Sequence, residues 1–283
     1  MSHIAIVTDT NASLPETIIK KFKIIEVPIH IQFGEESYIT GVNIDDAKLF
    51  ELIDARNVLP TTAAPSPTAF SDAYQRGFDE GAEQVICICC SSEVSATFNA
   101  AQMAAESLDD RDITVIDSRQ LSLAEGFQVL AAAEAAAAGS SKEEIIALVA
   151  DLQNRIHVYG ALPTLKYLAL GGRMGRLAAG LGETLEIKPI LTLRGGKLDL
   201  LEKVRTWRKA KQRLVELGIE RTRGAEIERV GMIHVNNEAG VLALFDTLKD
   251  SLSIDVEPLV AAFTPGLSVH TGSGMIGFVI ITK

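Results

Sequence analysis

Residues 85–101 read VICICCSSEVSATFNAA. The first six are apolar, which predicts a buried strand, and a turn rich in hydroxyl groups leads into a helix that begins near Ser95. Such a unit directs the free backbone N–H groups of the helix N terminus at one point, which favours binding of an anion. The hydroxyl groups of Ser91, Ser92, Ser95 and Thr97 are more than one helix cap requires. This stretch therefore predicts both a buried strand and an anion site.

The same alternation of strands and helices runs through the first half of the chain. Residues 4–9 (IAIVTD) and 113–117 (ITVID) are apolar runs that end in an acid. Runs of this kind are typical of parallel strands buried on both faces. Residues 24–33 predict one further strand, which Pro28 places at an edge because proline lacks an N–H donor. A small hairpin excursion is expected around 27–45.

The pattern changes after about residue 155. Residues 187–193 and 197–204 flank an Arg-Gly-Gly turn, which predicts a β-hairpin, and helices and strands then alternate to the C terminus. We predict an α/β fold of two domains. Residues 1–155 would form an N-terminal domain with a parallel sheet, and residues 156–283 a C-terminal α/β domain with a mixed sheet.

Composition excludes several functional classes. The chain has 283 residues and a net charge of −10, which argues against non-specific binding of nucleic acid. Residues 129–139, the longest apolar run with a helical pattern, are too short to cross a bilayer, and MSHIAIVTD carries no export signal. We expect a cytoplasmic protein with no stable membrane insertion.

The three cysteines, Cys87, Cys89 and Cys90, lie in one predicted strand, and no histidine is nearby in the sequence. We interpret them as core residues rather than metal ligands.

Two further loops carry polar residues that suit an anion. Thr62 lies in the loop 61–65, and His270 lies in the predicted loop 269–274 (VHTGSG). Loops that follow neighbouring strands gather at one edge of a doubly wound sheet, where ligands usually bind. A histidine between hydroxyl groups and glycines favours a donor to a bound anion. We expect these loops to meet the turn at Ser95 and hold a carboxylate.

Enzymatic functions fit the sequence less well. A serine hydrolase would use Ser95 as nucleophile, His270 as base and Asp117 or Asp9 to orient the base, but Ser95 lacks the flanking glycines of a nucleophile elbow. A nucleotide-binding enzyme is disfavoured because the sequence has no phosphate-binding loop. The pattern GSGMIG is followed by a predicted strand rather than a helix, so no dinucleotide cofactor is expected.

A different kind of carrier is a further alternative. The sequence leaves open that the protein carries a branched, oxidised or aromatic acid.

Basic residues form two candidate sites of contact with a partner protein. Arg173 follows consecutive glycines and precedes a predicted short helix, and Arg205 lies in 203–213 (KVRTWRKAKQR), which holds six basic residues in an acidic chain. Such a run is usually a solvated helix face. It could instead dock a partner that handles phosphate.

The chain resembles the DegV family of bacterial cytosolic proteins that bind long-chain fatty acids. The resemblance spans nearly the whole chain and rests on the motifs IVTDTNASLP (6–15), PTTAAPSP (60–67), SSEVSATFNAA (91–101), LGGRMGR (170–176), LEIKPIL (185–191), KVRT (203–206) and HTGSGMIGF (270–278).

The resemblance implies a carrier rather than an enzyme. Two α/β domains would enclose a tunnel for the acyl tail, with the carboxylate held by Thr62, Ser95, His270 and the backbone N–H of Ala96. The residues that match Arg173 and Arg205 would face a fatty acid kinase subunit that converts the bound acid to an acyl phosphate.

Five positions depart from the family pattern. Ala63-Ala64 replaces Ser-Gln, Ala96 replaces glycine, Phe98 replaces tyrosine, and Ser273 stands where proline is frequent. These departures leave the preferred ligand open.

Overall fold

The computed structural model describes residues 3–173, 187–222 and 224–283. The short helix expected after Arg173 lies outside these residues, as do parts of two family motifs, residues 174–176 and 185–186. Among the described residues, no helix has the length and apolar character needed to cross a membrane.

Thirteen strands and ten α-helices are found in this part of the chain. The strands are β1 (Ile4–Asp9), β2 (Ile25–Val27), β3 (His30–Phe33), β4 (Glu36–Ile39), β5 (Thr61–Ala63), β6 (Gln84–Cys89), β7 (Ile113–Asp117), β8 (Ile156–Ala161), β9 (Lys188–Arg194), β10 (Lys197–Val204), β11 (Ile227–His234), β12 (Leu259–Ala262) and β13 (Ile276–Thr282). The helices are α1 (Glu16–Phe22), α2 (Asp46–Arg56), α3 (Pro67–Asp79), α4 (Thr97–Glu106), α5 (Leu123–Ala137), α6 (Lys142–Arg155), α7 (Lys166–Leu170), α8 (Trp207–Thr222), α9 (Glu238–Leu252) and α10 (Pro265–Thr271).

The N-terminal part is built on a parallel sheet of order β2-β1-β6-β7. Both faces of the sheet are covered, by α5 on one side and by α3 and α4 on the other. This double burial explains why β1 and β6 are apolar almost throughout, because a strand covered on both faces has no solvent side. The predicted parallel α/β architecture is confirmed.

The C-terminal part holds a mixed sheet of order β10-β9-β8-β13-β11-β12, in which only β11 and β12 pair in parallel. Side chains alternate along β8: Tyr159 and Ala161 join the core under α8 and α9, whereas Val158 and Gly160 face the N-terminal part. The predicted mixed sheet is therefore also confirmed. A domain boundary at residue 155 stays a prediction.

The strand predicted over 24–33 is wrong in one respect. It divides at Pro28 into β2, an edge strand of the parallel sheet, and β3, the centre of a separate antiparallel sheet of order β4-β3-β5. Proline cannot donate a ladder hydrogen bond, so the chain leaves the first sheet there. In this small sheet β5, which contains Thr62, pairs with β3.

Candidate functional site

A cavity of about 250 Å³ lies between the two large sheets. One wall is the carboxyl end of the parallel sheet, represented by Asn11 and Cys90, and the other is the face of the mixed sheet that carries Val158 and Gly160. Helix α10 closes one side. We call this space the inter-sheet cavity. Its walls are mostly aliphatic, so it suits an apolar ligand with a few polar anchor points.

Thr62 and His270 meet at this cavity although they are far apart in the sequence. The Thr62 Oγ1 atom lies 3.0 Å from His270 Nε2. Thr62 belongs to β5, which pairs with β3, and His270 belongs to the last turn of α10. Both were predicted in loops, and those loop assignments are wrong. A strand of three residues and a helix of seven are too short to show a clear periodicity.

His270 is buried and electrically neutral at physiological pH. Its removal from water and the nearby Arg173 guanidinium lower the pKa of its imidazole to about 3. The Nδ1 atom has no hydrogen-bond partner within the described residues, and a methyl group added at Gly171 would lie 2.3 Å from it. We therefore assign the proton to Nε2, which donates to Thr62 Oγ1 and leaves the threonine hydroxyl hydrogen available to a ligand.

Ser95 lies just before α4, at the mouth of the same cavity. Its Oγ atom accepts a hydrogen bond from the Thr97 N–H group at 3.3 Å and lies 2.8 Å from Thr97 Oγ1. Helix α4 begins at Thr97 with Ala96 as its N-cap, two residues later than predicted. The structure thus places Thr62, Ser95, Ala96 and His270 on the wall of one cavity.

The two arginines lie in different surroundings. Arg173 is half-buried, lines the inter-sheet cavity and donates from Nη1 to the Gly171 carbonyl oxygen at 2.6 Å. Burial lowers the pKa of its guanidinium group. Arg205 is exposed in the turn between β10 and α8. Contact of either arginine with a partner protein stays a prediction. The sequence did not predict that the Arg173 guanidinium lies near His270.

The hydrogen bonds of a serine hydrolase are not formed among the described residues. Asp117 accepts hydrogen bonds from Ser92 Oγ, in the turn after β6, at 2.6 Å and from the Arg119 N–H group at 2.9 Å, so its carboxylate is already engaged away from His270. His270 bonds to Thr62, and no carboxylate of the described part of the chain orients its Nδ1 atom. This arrangement disfavours a triad with Ser95 as nucleophile.

Buried acids lie beneath the cavity, at the carboxyl end of β1. Asp9, Cys90 and Glu125 form the one group in the described part of the chain whose side chains are close enough to bind a metal ion. Asp9 accepts N–H hydrogen bonds from Asn11 and Cys90, each at 2.9 Å. Burial and the Asp9 charge raise the pKa of the Glu125 carboxyl. Burial also raises the pKa of Asp9, but its two backbone N–H donors oppose this rise, so Glu125 is the carboxyl that more readily holds a proton. A metal ion requires deprotonated ligands, so this pair does not suit one.

Comparison with known proteins agrees with this architecture. A family model described as "uncharacterised protein, DegV family" matches residues 3–283. The chain belongs to the DegV family. It is 33% identical over 281 residues to a DegV domain-containing protein of Streptomyces coelicolor, covering 99% of both chains. It is 32% identical over 276 residues to the protein DegV of Bacillus subtilis, covering 97% of this chain and 98% of the relative.

Several solved structures of this family carry names that state a ligand, and two of them are at least 30% identical to this chain. The chain resembles a fatty-acid-binding DegV family protein from Thermus thermophilus with a TM-score of 0.91 and 30% identity, over all of both chains. It also resembles DegV from Bacillus subtilis, named as a fatty acid binding protein, with a TM-score of 0.90, 31% identity and full coverage of both chains.

Proposed function

We propose that this DegV family protein binds a long-chain fatty acid in the inter-sheet cavity and presents it to a partner kinase in the cytoplasm. The observation that carries the proposal is the Thr62–His270 hydrogen bond at the wall of a mostly apolar cavity between two sheets. Relatives named as fatty-acid-binding proteins support it.

Polar groups at the cavity wall suit an ionised head group. A carboxylate buried without partners is very unfavourable. The hydroxyl groups of Thr62 and Ser95 and the backbone N–H of Ala96 would donate to it, with His270 holding Thr62 in place. The Arg173 guanidinium would add a positive charge nearby. The head group would thus be held by hydrogen bonds without a directly paired cation.

The tail would supply most of the binding free energy. Each buried methylene contributes about 0.8 kcal/mol, so a tail of roughly 16 carbons contributes on the order of 10 kcal/mol before the costs of binding. The aliphatic walls around Val158, Leu191 and Ile233 give such a tail a dry environment. The head-group contacts then select carboxylates over other amphiphiles.

Removal of both hydroxyl groups tests the site. We expect Thr62→Ala combined with Ser95→Ala to weaken palmitate binding about tenfold or more while the melting temperature stays near that of wild type, because two hydrogen bonds to a charged group are lost. Isothermal titration calorimetry measures the affinity. Ser92→Ala is the matched control, because Ser92 bonds to Asp117. Equal palmitate affinity in the wild type and the double variant would remove this site assignment.

Arg205 tests the proposed partner. We expect Arg205→Ala to retain its fatty acid but to reduce acyl-phosphate formation by the cognate fatty acid kinase severalfold, because Arg205 is exposed and lies outside the cavity lining. The control is Arg76→Ala, because Arg76 is an exposed residue of α3 that pairs with Glu80. Loss of lipid binding together with loss of phosphorylation would contradict a role confined to the partner.

A further inference from the structure

The Thr97 hydroxyl group lies behind Ser95, on the side away from the inter-sheet cavity. Thr97 is the first residue of α4 and is fully buried, whereas Ser95 lines the cavity. The two hydroxyl oxygens are 2.8 Å apart, and Ser95 Oγ also accepts from the Thr97 N–H group at 3.3 Å. Thr97 therefore contacts a group proposed to bind the carboxylate without itself touching the ligand.

Two further side chains continue this contact into the core. Cys90 shares a side-chain hydrogen bond with Thr97, and its Sγ atom accepts from Asn11 Nδ2 at 3.3 Å. Burial and the charge of Asp9 raise the pKa of the Cys90 thiol well above its ordinary value, so the thiol keeps its proton. A protonated thiol is a weak donor as well as a weak acceptor. The contacts thus form a continuous line of four side chains that ends at Ser95.

Two orders of donation fit these contacts. If Ser95 donates to Thr97 and Thr97 donates to Cys90, the thiol hydrogen has no acceptor in this line, and Ser95 offers only lone pairs to the cavity. In the opposite order the thiol donates to Thr97, Thr97 donates to Ser95, and the Ser95 hydrogen is free for an acceptor in the cavity. A bound carboxylate is such an acceptor, so it favours the second order, in which every hydrogen of the line is used.

We propose that Thr97 is the positioning residue that turns the Ser95 hydroxyl hydrogen towards the ligand carboxylate, as His270 does for Thr62. This inference rests on the proposed function and concerns how the same site selects an ionised acid. His270 Nε2 and Thr62 Oγ1 are 3.0 Å apart. In both pairs a buried donor occupies an acceptor position of a hydroxyl group at the cavity wall and leaves the hydroxyl hydrogen to the ligand. An ionised head group, which only accepts, fits this arrangement better than a protonated acid, whose own hydrogen would face a donor.

The test follows palmitate labelled with ¹³C at its carboxyl carbon and bound to the intact protein. The ¹³C chemical shift across a pH titration gives the pKa of the bound acid, and calorimetry gives the affinity. We expect Thr97→Val, which keeps the shape of threonine without the hydroxyl group, to weaken palmitate binding about tenfold. It should also raise the pKa of the bound acid by about one, because a tenfold loss confined to the ionised form corresponds to that change. Thr97→Ser, which keeps the hydroxyl group, should bind and titrate like the wild type.

Thr222→Val is the matched control. Thr222 is a buried threonine of α8 whose hydroxyl group donates to the Gly218 carbonyl oxygen at 3.0 Å. Its replacement should leave the palmitate affinity and the pKa of the bound acid unchanged. Thr97→Ala, which also lacks the hydroxyl group and is smaller than threonine, gives the same comparison if Thr97→Val does not fold.

Two results would overturn the inference. One is an unchanged pKa of bound palmitate in Thr97→Val or Thr97→Ala, whichever folds, because any loss of affinity would then come from packing alone. The other is an equal rise of that pKa in Thr97→Ser, since this variant keeps the hydroxyl group. Failure of the wild type to bind palmitate at all would instead contradict the proposed function.

Discussion

Asp9→Asn should lower the free energy of unfolding by about 3 kcal/mol, whereas Glu125→Gln should leave the protein at least as stable as the wild type near neutral pH. The Asp9 carboxylate accepts two backbone N–H groups, from Asn11 and Cys90. An asparagine offers one oxygen to these two donors and turns its NH₂ group towards the other. Glutamine at 125, in contrast, is uncharged, as the protonated carboxyl is, and it keeps an oxygen to accept from Thr8 Oγ1.

The two carboxyl groups also predict a pH dependence. In the unfolded chain Glu125 ionises near the ordinary glutamate pKa of 4.5, and in the folded protein burial and Asp9 raise that pKa well above this value. The folded state therefore binds more protons than the unfolded state above pH 4.5. The Glu125 contribution to stability is complete below that pH and is lost as the pH rises towards the folded pKa. Glu125→Gln should reduce this fall in stability.

Urea unfolding at pH 5 and pH 8 measures both effects. Glu83→Gln, which replaces an exposed glutamate, is the control and should follow the wild type at both pH values. Similar losses in Asp9→Asn and Glu125→Gln, or an unchanged pH dependence in Glu125→Gln, would show that Glu125 is not the protonated member of the pair.

Local sequence patterns predict the sheets better than the arrangement of the candidate site. The conformations of the strand predicted at 85–90 and of the anion-favouring turn after it depend on neighbouring residues. They can therefore be predicted from the local sequence. Strand β5 depends on pairing with β3, some thirty positions earlier, and the predicted loop at Thr62 was therefore wrong. Pattern alone cannot show a strand that exists because of a distant partner.

The position of His270 has a similar origin. Helix α10 is short, and its place is set by packing against α2, where Ser268 Oγ donates to Asp46 Oδ2 at 2.8 Å. The residue pattern around His270 and the resemblance to a family both identified it as a candidate, but only the fold shows that its imidazole bonds to Thr62. Asn11 lines the inter-sheet cavity, and the sequence did not predict this position because an asparagine after a strand usually belongs to a turn. Its burial and its unpartnered oxygen appear only in the three-dimensional arrangement of the described residues.

Gly160→Val should weaken palmitate binding more than a hundredfold while octanoate binding is largely retained. Gly160 lies on β8 directly opposite Gly277 on β13, and its missing side chain leaves room in the inter-sheet cavity. A methyl group added at Gly160 would lie 2.7 Å from Met275 Cε, the end of a flexible side chain, and 3.8 Å from the Ile276 carbonyl oxygen. The backbone therefore tolerates a larger residue, and valine fills the cavity instead.

The size of the expected loss in palmitate affinity follows from the part of the acyl tail that the valine side chain displaces. If about four methylenes lose their place, the loss is about 3 kcal/mol, or a factor above one hundred in affinity. An eight-carbon acid with its head group at Thr62 and His270 needs less of the cavity, so it should be affected less. Calorimetry with both acids gives the ratio directly.

Two other variants separate cavity filling from damage to the sheet. Ala262→Val makes a similar enlargement at an exposed position of β12 and should bind palmitate like the wild type. Gly277→Ala should instead destabilise the fold, because its added methyl group would lie 2.5 Å from the Tyr159 carbonyl oxygen. If Gly160→Val binds palmitate as tightly as the wild type, the acyl tail does not run past β8, and the ligand must enter between the sheets by another path.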